Sequence, residues 1–451
     1  MKVRKRIRKI ITITLLSLIS YLFIFGILIF KIPYSKPSDL KYDSEEMLVK
    51  KEDQYASIAE EPQEALDLRL SLINEAKNCI NIVYYMFESD RSGEIIGGLL
   101  LKKADEDVKI NIIVDNKFFR KTTLFKTFIA HPNINVYRFE RFSLLMPFTL
   151  HNSLHDKFIT IDNKYSLIGG RNIGDRFYFP DSKMQTDDRD VLVFSKENDN
   201  DATLAMNEYT LELISSRYTK LMKTTMSYQE NEYLSNYLNY FDDSYDFQKV
   251  INEAIAVDNI TFVRSPLNRF NKEPVLFNTI NDLASNSDNL IIQSPYITIS
   301  KAMKKNFAFA DKDITFITNS VAINPNPFAT SGYLRIRNKL ALDYQVYESQ
   351  RPIGDHAKSI IIGDDIAIIG SQNIDHRSFY LSTESAVVIY SKQFRDALNE
   401  KFDLIIADSL LVNSDGEYEI NDNVEVAPLK KSKEIFLTLL SWLSSLFKEM
   451  L

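Results

Sequence analysis

HDKFITIDNKYSLIGGRN, residues 155–172, and HAKSIIIGDDIAIIGSQN, residues 356–373, are windows of equal length that start 201 positions apart. Each runs histidine, one residue, lysine, an apolar stretch, a second apolar stretch, glycine followed by glycine or serine, one residue, asparagine. With five histidines and 12 glycines in 451 residues, that agreement at fixed offsets marks an internal duplication. On a strand, residues i and i+2 share a face. The spacing therefore aims His155 with Lys157, and His356 with Lys358, to one side of their strands. Glycine at the end of the second strand lets backbone amides approach a ligand, and Asn172 and Asn373 add a neutral amide there. Imidazole, ammonium and amide together form a phosphate-handling set, present once in each half of the chain.

Outward from the windows, apolar periodicities alternate between helix and strand. Leu66, Leu70 and Ile73 keep helical spacing; residues 80–87 read as a buried strand, 93–103 as a helix and 108–114 as an alternating strand ending at Asp115. The second half repeats this with a helix near 275–283, a strand at 290–293, a helix near 300–309 and a strand at 314–318. That order predicts the α/β class, with helices covering a sheet. Residues 202–241 contain neither glycine nor proline and read as a helical connector. The expected division is a basic tail 1–9, an apolar helix 10–30, a tether 31–60, a first domain 61–200, the connector 201–245, a second domain 246–400 and an extension 401–451. Within that extension residues 435–451, with Trp442, read either as a helix lying on a membrane surface or as one docked on the body.

Charge and composition exclude several classes. Average usage would give about 32 glycines in a chain of this length; 12 glycines and 13 prolines exclude collagenous and linker-like sequences. Seven of the 54 basic residues lie in 1–31, which holds no acid, so 47 bases against 61 acids leave the rest at −14. A body so acidic is a poor general binder of nucleic acid. A lone cysteine, Cys79, excludes an internal disulfide and reads as core. Residues 10–30 lack charge and are long enough to cross a bilayer, after six basic residues between 2 and 9. The positive-inside rule places the N-terminus in the cytoplasm and the body outside it. The apolar run is long for a cleaved signal peptide and lacks a small-residue cleavage site, so a single-pass anchor in the cell membrane is expected.

The paired windows resemble the duplicated HxK(x)4D(x)6G[SG]xN motif of the phospholipase D superfamily. GGRNIGDRF at 169–177 and GSQNIDHRSFYLSTES at 370–385 resemble its bacterial cardiolipin synthase-like branch, as do TNS at 318–320 and SGY at 331–333. The resemblance spans about residues 62–400. It implies two pseudo-symmetric phospholipase D-like α/β/α sandwich domains with the active site at their interface. It also implies metal-independent chemistry without a cofactor, through a phosphohistidine on His155 with His356 as acid and base, although the duplication itself permits the reverse. Phosphate contacts are then expected from Lys157, Lys358, Asn172, Asn373, Gly170 and Ser371, with Asp162 as structural support. In the second window Gly363 stands where the motif has its aspartate, and Asp364 comes one residue late.

An imidazole in catalysis needs a carboxylate to fix its tautomer. Aligning residues 387–389 with 191–193 pairs Glu384 with Asp188, expected as the partners of His356 and His155 respectively, with Asp190 in reserve and Asp187 as a solvated turn. His131 reads as a loop residue, His151 as a solvated loop residue or one lining the entrance to the site, and His376 as structural. The expected reaction is synthesis of cardiolipin from phosphatidylglycerol at a phospholipid membrane, without nucleic acid. A phosphodiesterase or nuclease of the superfamily, or a non-catalytic lipid-binding scaffold, are the rival readings.

Overall fold

A computed structural model describes residues 2–32, 35–241, 245–305, 312–444 and 449–450. Its body is built on two mixed sheets of matching topology. The first runs, edge to edge, Ile255–Ala256, Tyr55–Ala59, Asp190–Phe194, Tyr165–Gly169, Lys157–Ile161, Cys79–Tyr84, Lys109–Asp115, Ile134–Phe139 and Thr219–Leu221. The second runs Asn259–Arg264, Ser385–Tyr390, Ile366–Gly370, Ser359–Ile362, Asn289–Gln293, Asp313–Asn319, Gln345–Ser349 and Ser409–Leu411. In each, three neighbouring strands are parallel, joined through helices, and the rest are antiparallel. The duplication seen in two short windows thus extends to whole sheets.

Strand alternation decides which core each side chain joins. In Lys157–Ile161, Ile159 and Ile161 face a core under the helices Pro62–Glu75 and Arg91–Asp105. Phe158, between them, faces the other way, into a core shared by both sheets. The second half repeats the pattern, with Ile360 and Ile362 on its own side and Ile361 in the shared core. Two further helices, Asp201–Ser215 and Lys392–Ala407, contribute Met206, Leu213, Phe394 and Phe402 to that shared layer. A fully buried arginine also ties the halves. Arg189 donates to Glu60 and to Ser359 Oγ of the second sheet at 3.1 Å.

Several expected boundaries shift. Part of the 31–60 tether is structural: Tyr55–Ala59 is a sheet strand, the counterpart of Asn259–Arg264, and Met47 is buried in the second core. The 201–245 connector is helical only in part. It contains the strand Thr219–Leu221, counterpart of Ser409–Leu411, and the short helix Leu234–Tyr240. Of the helix expected near 300–309, Lys301–Lys305 is helical, and 306–309 lie outside the described residues. At the N-terminus Lys2–Gly26 is one helix with its apolar side chains exposed, long and apolar enough to cross a membrane. The C-terminal helix Lys431–Ser444 is docked: Leu437 is buried in the second core and Lys433 Nζ donates to the carbonyl of Ala322 at 2.8 Å. Its outer face, with Trp442, remains exposed.

The glycine that departs from the motif has a local explanation. Asp162 and Gly363 occupy the same turn after the HxK strand, and both have a left-handed backbone, φ 52° and 58°. Asp tolerates that region better than most residues and Gly is unstrained there. Asp162 then accepts from the amides of Lys77, Asn78 and Cys79 at 3.0, 2.9 and 2.8 Å. Gly363 keeps the amide bond of that turn, to the Asn289 carbonyl at 3.2 Å, and its carbonyl accepts from Arg395 at 3.0 Å. Asp162→Ala should therefore destabilise the protein by about 1–2 kcal/mol, through three lost acceptors. Gly363→Ala should cost a similar ~1–2 kcal/mol through backbone strain. Thermal unfolding in detergent measures both; an unshifted midpoint for Asp162→Ala would refute its supporting role.

Candidate active site

Each HxK strand is preceded by a lead-in held by the opposite half. The His155 amide donates to the carbonyl of Thr383 at 3.0 Å, beside Glu384, and the His356 amide donates to the carbonyl of Asp187 at 2.7 Å, beside Asp188. Gly354–Asp355 pairs in parallel with Thr186–Asp187 to continue the second tie. As a result, His155 Nδ1 lies 2.9 Å from the Glu384 carboxylate, and His356 Nδ1 lies 2.7 Å from Asp188 Oδ2. The pairing differs from the one expected: each histidine sits against the acid of the other half, His155 against Glu384 and His356 against Asp188. Within one half the strand Tyr165–Gly169, or Ile366–Gly370, intervenes, placing the acid-bearing strand two neighbours away, about 10 Å. Only across the interface are they adjacent. An Nδ1–H donated to a carboxylate leaves the Nε2 lone pair free.

The reserve candidate is occupied elsewhere. Buried Asp190 accepts from Arg69 at 2.8 Å and Arg171 at 3.0 Å. Asp187, expected as a solvated turn, is half-buried and paired with Arg351 at 3.1 Å. At the glycine–glycine/serine position the halves differ for a packing reason. A side chain on Gly170 would meet Asp188 Oδ1 at 2.2 Å. In the second half Ser371 fits, and its hydroxyl donates to Glu384 Oε2 at 2.6 Å. Neither residue is a free phosphate donor by its side chain; both shape the acid beside them. The other histidines are also engaged. His131 is buried, 3.0 Å from Asp105; His151 is half-buried, 3.2 Å from the Gly26 carbonyl, not solvated; His376 Nδ1 lies 3.0 Å from Ser300.

Burial dominates the electrostatics. It brings the Lys157 ammonium down to about 7 against the opposing pull of Glu384, and Lys358 down to about 8 against that of Asp188. Burial and the neighbouring Lys157 hold His155 well below its ordinary value; burial and Lys358 bring His356 down to about 3. The acids separate. Burial pushes Glu384 up to about 7, with Lys157 resisting. For Asp188 burial also acts upward, but Lys358 and His356 outweigh it and hold the carboxyl below its ordinary value. One acid is thus a firm anion and the other titrates near neutrality.

His155, His356, Asn172, Asn373 and Glu384 line one cavity of about 620 Å³ between the halves. The side-chain oxygens of Asn172 and Asn373 are buried without a protein partner. Tyr85 packs edge-on to His155, ring centroids 4.7 Å apart. Two arginines not singled out in the sequence also face this space, Arg176 and Arg377. Each follows its asparagine by four residues, so carrying the repeat past Asn172 and Asn373 would have found them. The TNS and SGY segments are supports: Asn319 accepts from the Asp355 amide at 2.8 Å, just before His356, and Tyr333 donates to Glu348 at 2.7 Å. Among the described residues no group of three or more His, Cys, Asp or Glu is arranged to hold a metal.

Residues 70–203 and 279–406 match the family described as cardiolipin synthase, PLD-like domain, which together is more than half of the chain. The chain belongs to this family. Among relatives of this cardiolipin synthase-like chain, cardiolipin synthase C of Escherichia coli is 24% identical over 394 residues, 76% of this chain and 83% of that one. A cardiolipin synthase of Staphylococcus aureus is 26% identical over 360 residues, 78% of this chain and 66% of that one. The phosphatidylserine synthase of Haemophilus influenzae shares the fold at TM-score 0.63 and 14% identity, covering 91% of this chain and 97% of its own. For the family member described here, the crossed pairing has a direct spectroscopic test. With ring-15N-labelled histidine, Glu384→Gln should move the His155 Nδ1 resonance and Asp188→Asn that of His356. The reverse pattern would mean that each acid serves its own half.

Proposed function

We propose that the chain is a membrane-anchored phosphatidyltransferase that makes cardiolipin from phosphatidylglycerol through a covalent phosphohistidine. The observation that carries the reading is the pair of histidines, each with an acid on Nδ1, lining one cavity with Asn172 and Asn373, while Lys157 and Lys358 donate to the carbonyls of those histidines. The cardiolipin synthase relatives and the family match support the lipid substrate.

In the first step His155 Nε2 attacks the phosphorus of phosphatidylglycerol, forming an N–P bond as the bond to the glycerol oxygen breaks. His356, protonated on Nε2, gives that proton to the leaving oxygen. In the second step His356 takes the proton of a hydroxyl on a second phosphatidylglycerol, whose oxygen displaces His155 from phosphorus. Lys157 and Lys358 neutralise charge on the non-bridging oxygens. Exchange of one phosphodiester for another needs no nucleotide. The unequal acids favour these roles. Firmly anionic Asp188 offsets part of the cost that burial and Lys358 place on an imidazolium at His356, the charged form an acid must pass through. Glu384, titrating near neutrality, gives His155 less reason to hold a second proton, as a nucleophile requires. An N-terminus in the cytoplasm, following the basic residues before the anchor, places the site outside it.

Expression in a bacterium without cardiolipin should restore the lipid and release glycerol, while His155→Ala or His356→Ala should abolish both. Cardiolipin made without either histidine would refute the mechanism. Accumulation of phosphatidic acid instead would favour hydrolysis, with water as acceptor.

The pH profile follows from the same groups. Glu384 must be ionised to accept from His155, so kcat/KM should fall as pH drops through about 7. Lys157 and Lys358 must be charged, so it should also fall as pH rises past about 7 to 8. Bound phosphate raises lysine pKa values, so the alkaline limb of kcat should lie higher than that of kcat/KM. Glu384→Gln should lower activity and flatten the acid limb; an unchanged acid limb would assign it to another group.

A further inference from the structure

The segment 141–150, RFSLLMPFTL, leads toward His155 and carries apolar side chains on its surface. Leu145 is 84% exposed and Leu144 62%, with Phe142, Met146 and Leu150 also exposed. Such a concentration on an otherwise acidic body marks a contact surface. What it contacts is indicated by the N-terminal helix. Tyr21 Oη donates to the Leu145 carbonyl at 2.7 Å, His151 Nε2 reaches the Gly26 carbonyl at 3.2 Å, and Phe30 packs edge-on to His151 at 4.9 Å. A side chain at Gly26 would lie 3.5 Å from Pro147.

The contact at Tyr21 sets a depth. The uncharged stretch begins after Lys9 and ends at Lys31. Helical rise places Tyr21 about 18 Å past Lys9, in a hydrocarbon layer of about 30 Å. Some 12 Å of hydrocarbon then remain above it, roughly twice the reach of a tyrosine side chain. The loop tip therefore lies at a level where only apolar side chains and satisfied backbone are tolerated. Part of its backbone is satisfied within the loop and by the helix. The Met146 amide donates to the Ser143 carbonyl at 3.0 Å, and Thr149 Oγ1 donates to the Met146 carbonyl at 2.8 Å. Thr149 Oγ1 accepts from the Ser143 amide at 3.1 Å, the His151 amide donates to Phe148, and Tyr21 takes the Leu145 carbonyl.

We propose that residues 141–150 insert into the leaflet of the lipid bilayer on the body's side of the membrane, alongside the anchor, and so fix the catalytic cavity against the lipid surface. The inference rests on the helix being a membrane anchor, and goes beyond the proposed reaction. The loop is braced on the body: Phe148 stacks near Phe270 with centroids 4.0 Å apart, and Arg269 donates to Glu140 at 2.7 Å. Asn152 also donates to Glu140, at 2.6 Å, and the chain reaches His155 three residues later. Insertion depth is thereby coupled to the position of the nucleophilic histidine.

The test uses the full chain in phosphatidylcholine liposomes, with Cys79→Ser as background. A polarity-sensitive fluorophore is placed on Leu145→Cys, on Ile19→Cys in the anchor, or on Leu404→Cys on an exposed face of the body. The Leu145 and Ile19 probes should lose fluorescence with brominated acyl chains and not with aqueous iodide; the Leu404 probe should do the opposite. A Leu145 probe quenched by iodide while Ile19 is quenched by lipid would overturn the insertion and leave the anchor standing. Iodide quenching at both sites would overturn the anchor reading and the proposal with it. A Leu145 probe shielded from both quenchers would mean a protein contact, such as a second copy, and would also overturn it.

Discussion

Two hydrogen bonds cross between the halves of this chain, His155 to Glu384 and His356 to Asp188, and much of the architecture around the cavity holds their ends in place. The acids are buried, so leaving either without its histidine would strand a carboxylate in a dry interface. The backbone ties of His155 to Thr383 and His356 to Asp187 set the register. Arg189 spans from Glu60 to the second sheet and adds a buried polar link between the halves. Neither half contains a complete histidine–acid pair. The duplication therefore produced one site from two chains' worth of motif, not two sites.

Exchange of partners also explains why the halves have drifted apart at matched positions. Gly170 leaves room for the short acid Asp188; Ser371 bonds the longer Glu384. Those small differences leave one acid ionised and let the other titrate near neutrality. A symmetric site would offer two equal bases and no preferred acid. Gly363 belongs to a different class of divergence. Its turn keeps the left-handed backbone while giving up the three amide contacts that Asp162 makes, away from the chemistry.

Much of this was legible in the residues. The HxK pairs, the asparagines and the two acids are signalled by spacing, because a strand converts spacing into direction. The partners of the acids were not, because local alignment is blind to which neighbour lies across an interface. Tyr55–Ala59 and Thr219–Leu221 were missed for a related reason: short strands carry too few alternations to show a period, and only pairing with their neighbours defines them. His151 reads as solvated until the N-terminal helix is brought back over it. Arg176 and Arg377 were within reach of the repeat, four residues beyond where the comparison of the windows stopped.

The shared apolar layer between the sheets has a consequence for biosynthesis. The first sheet is complete at Ala256, but the surface formed by Val83, Phe158, Ile168 and Val191 is covered only when the second sheet is finished at Leu411. At about 5–20 residues per second, translation of the intervening chain takes roughly 8–30 s. Throughout that interval a nascent half-protein, already held by its N-terminal helix, presents a wide greasy face to its surroundings. Guarding that face during synthesis is a demand the finished enzyme no longer shows.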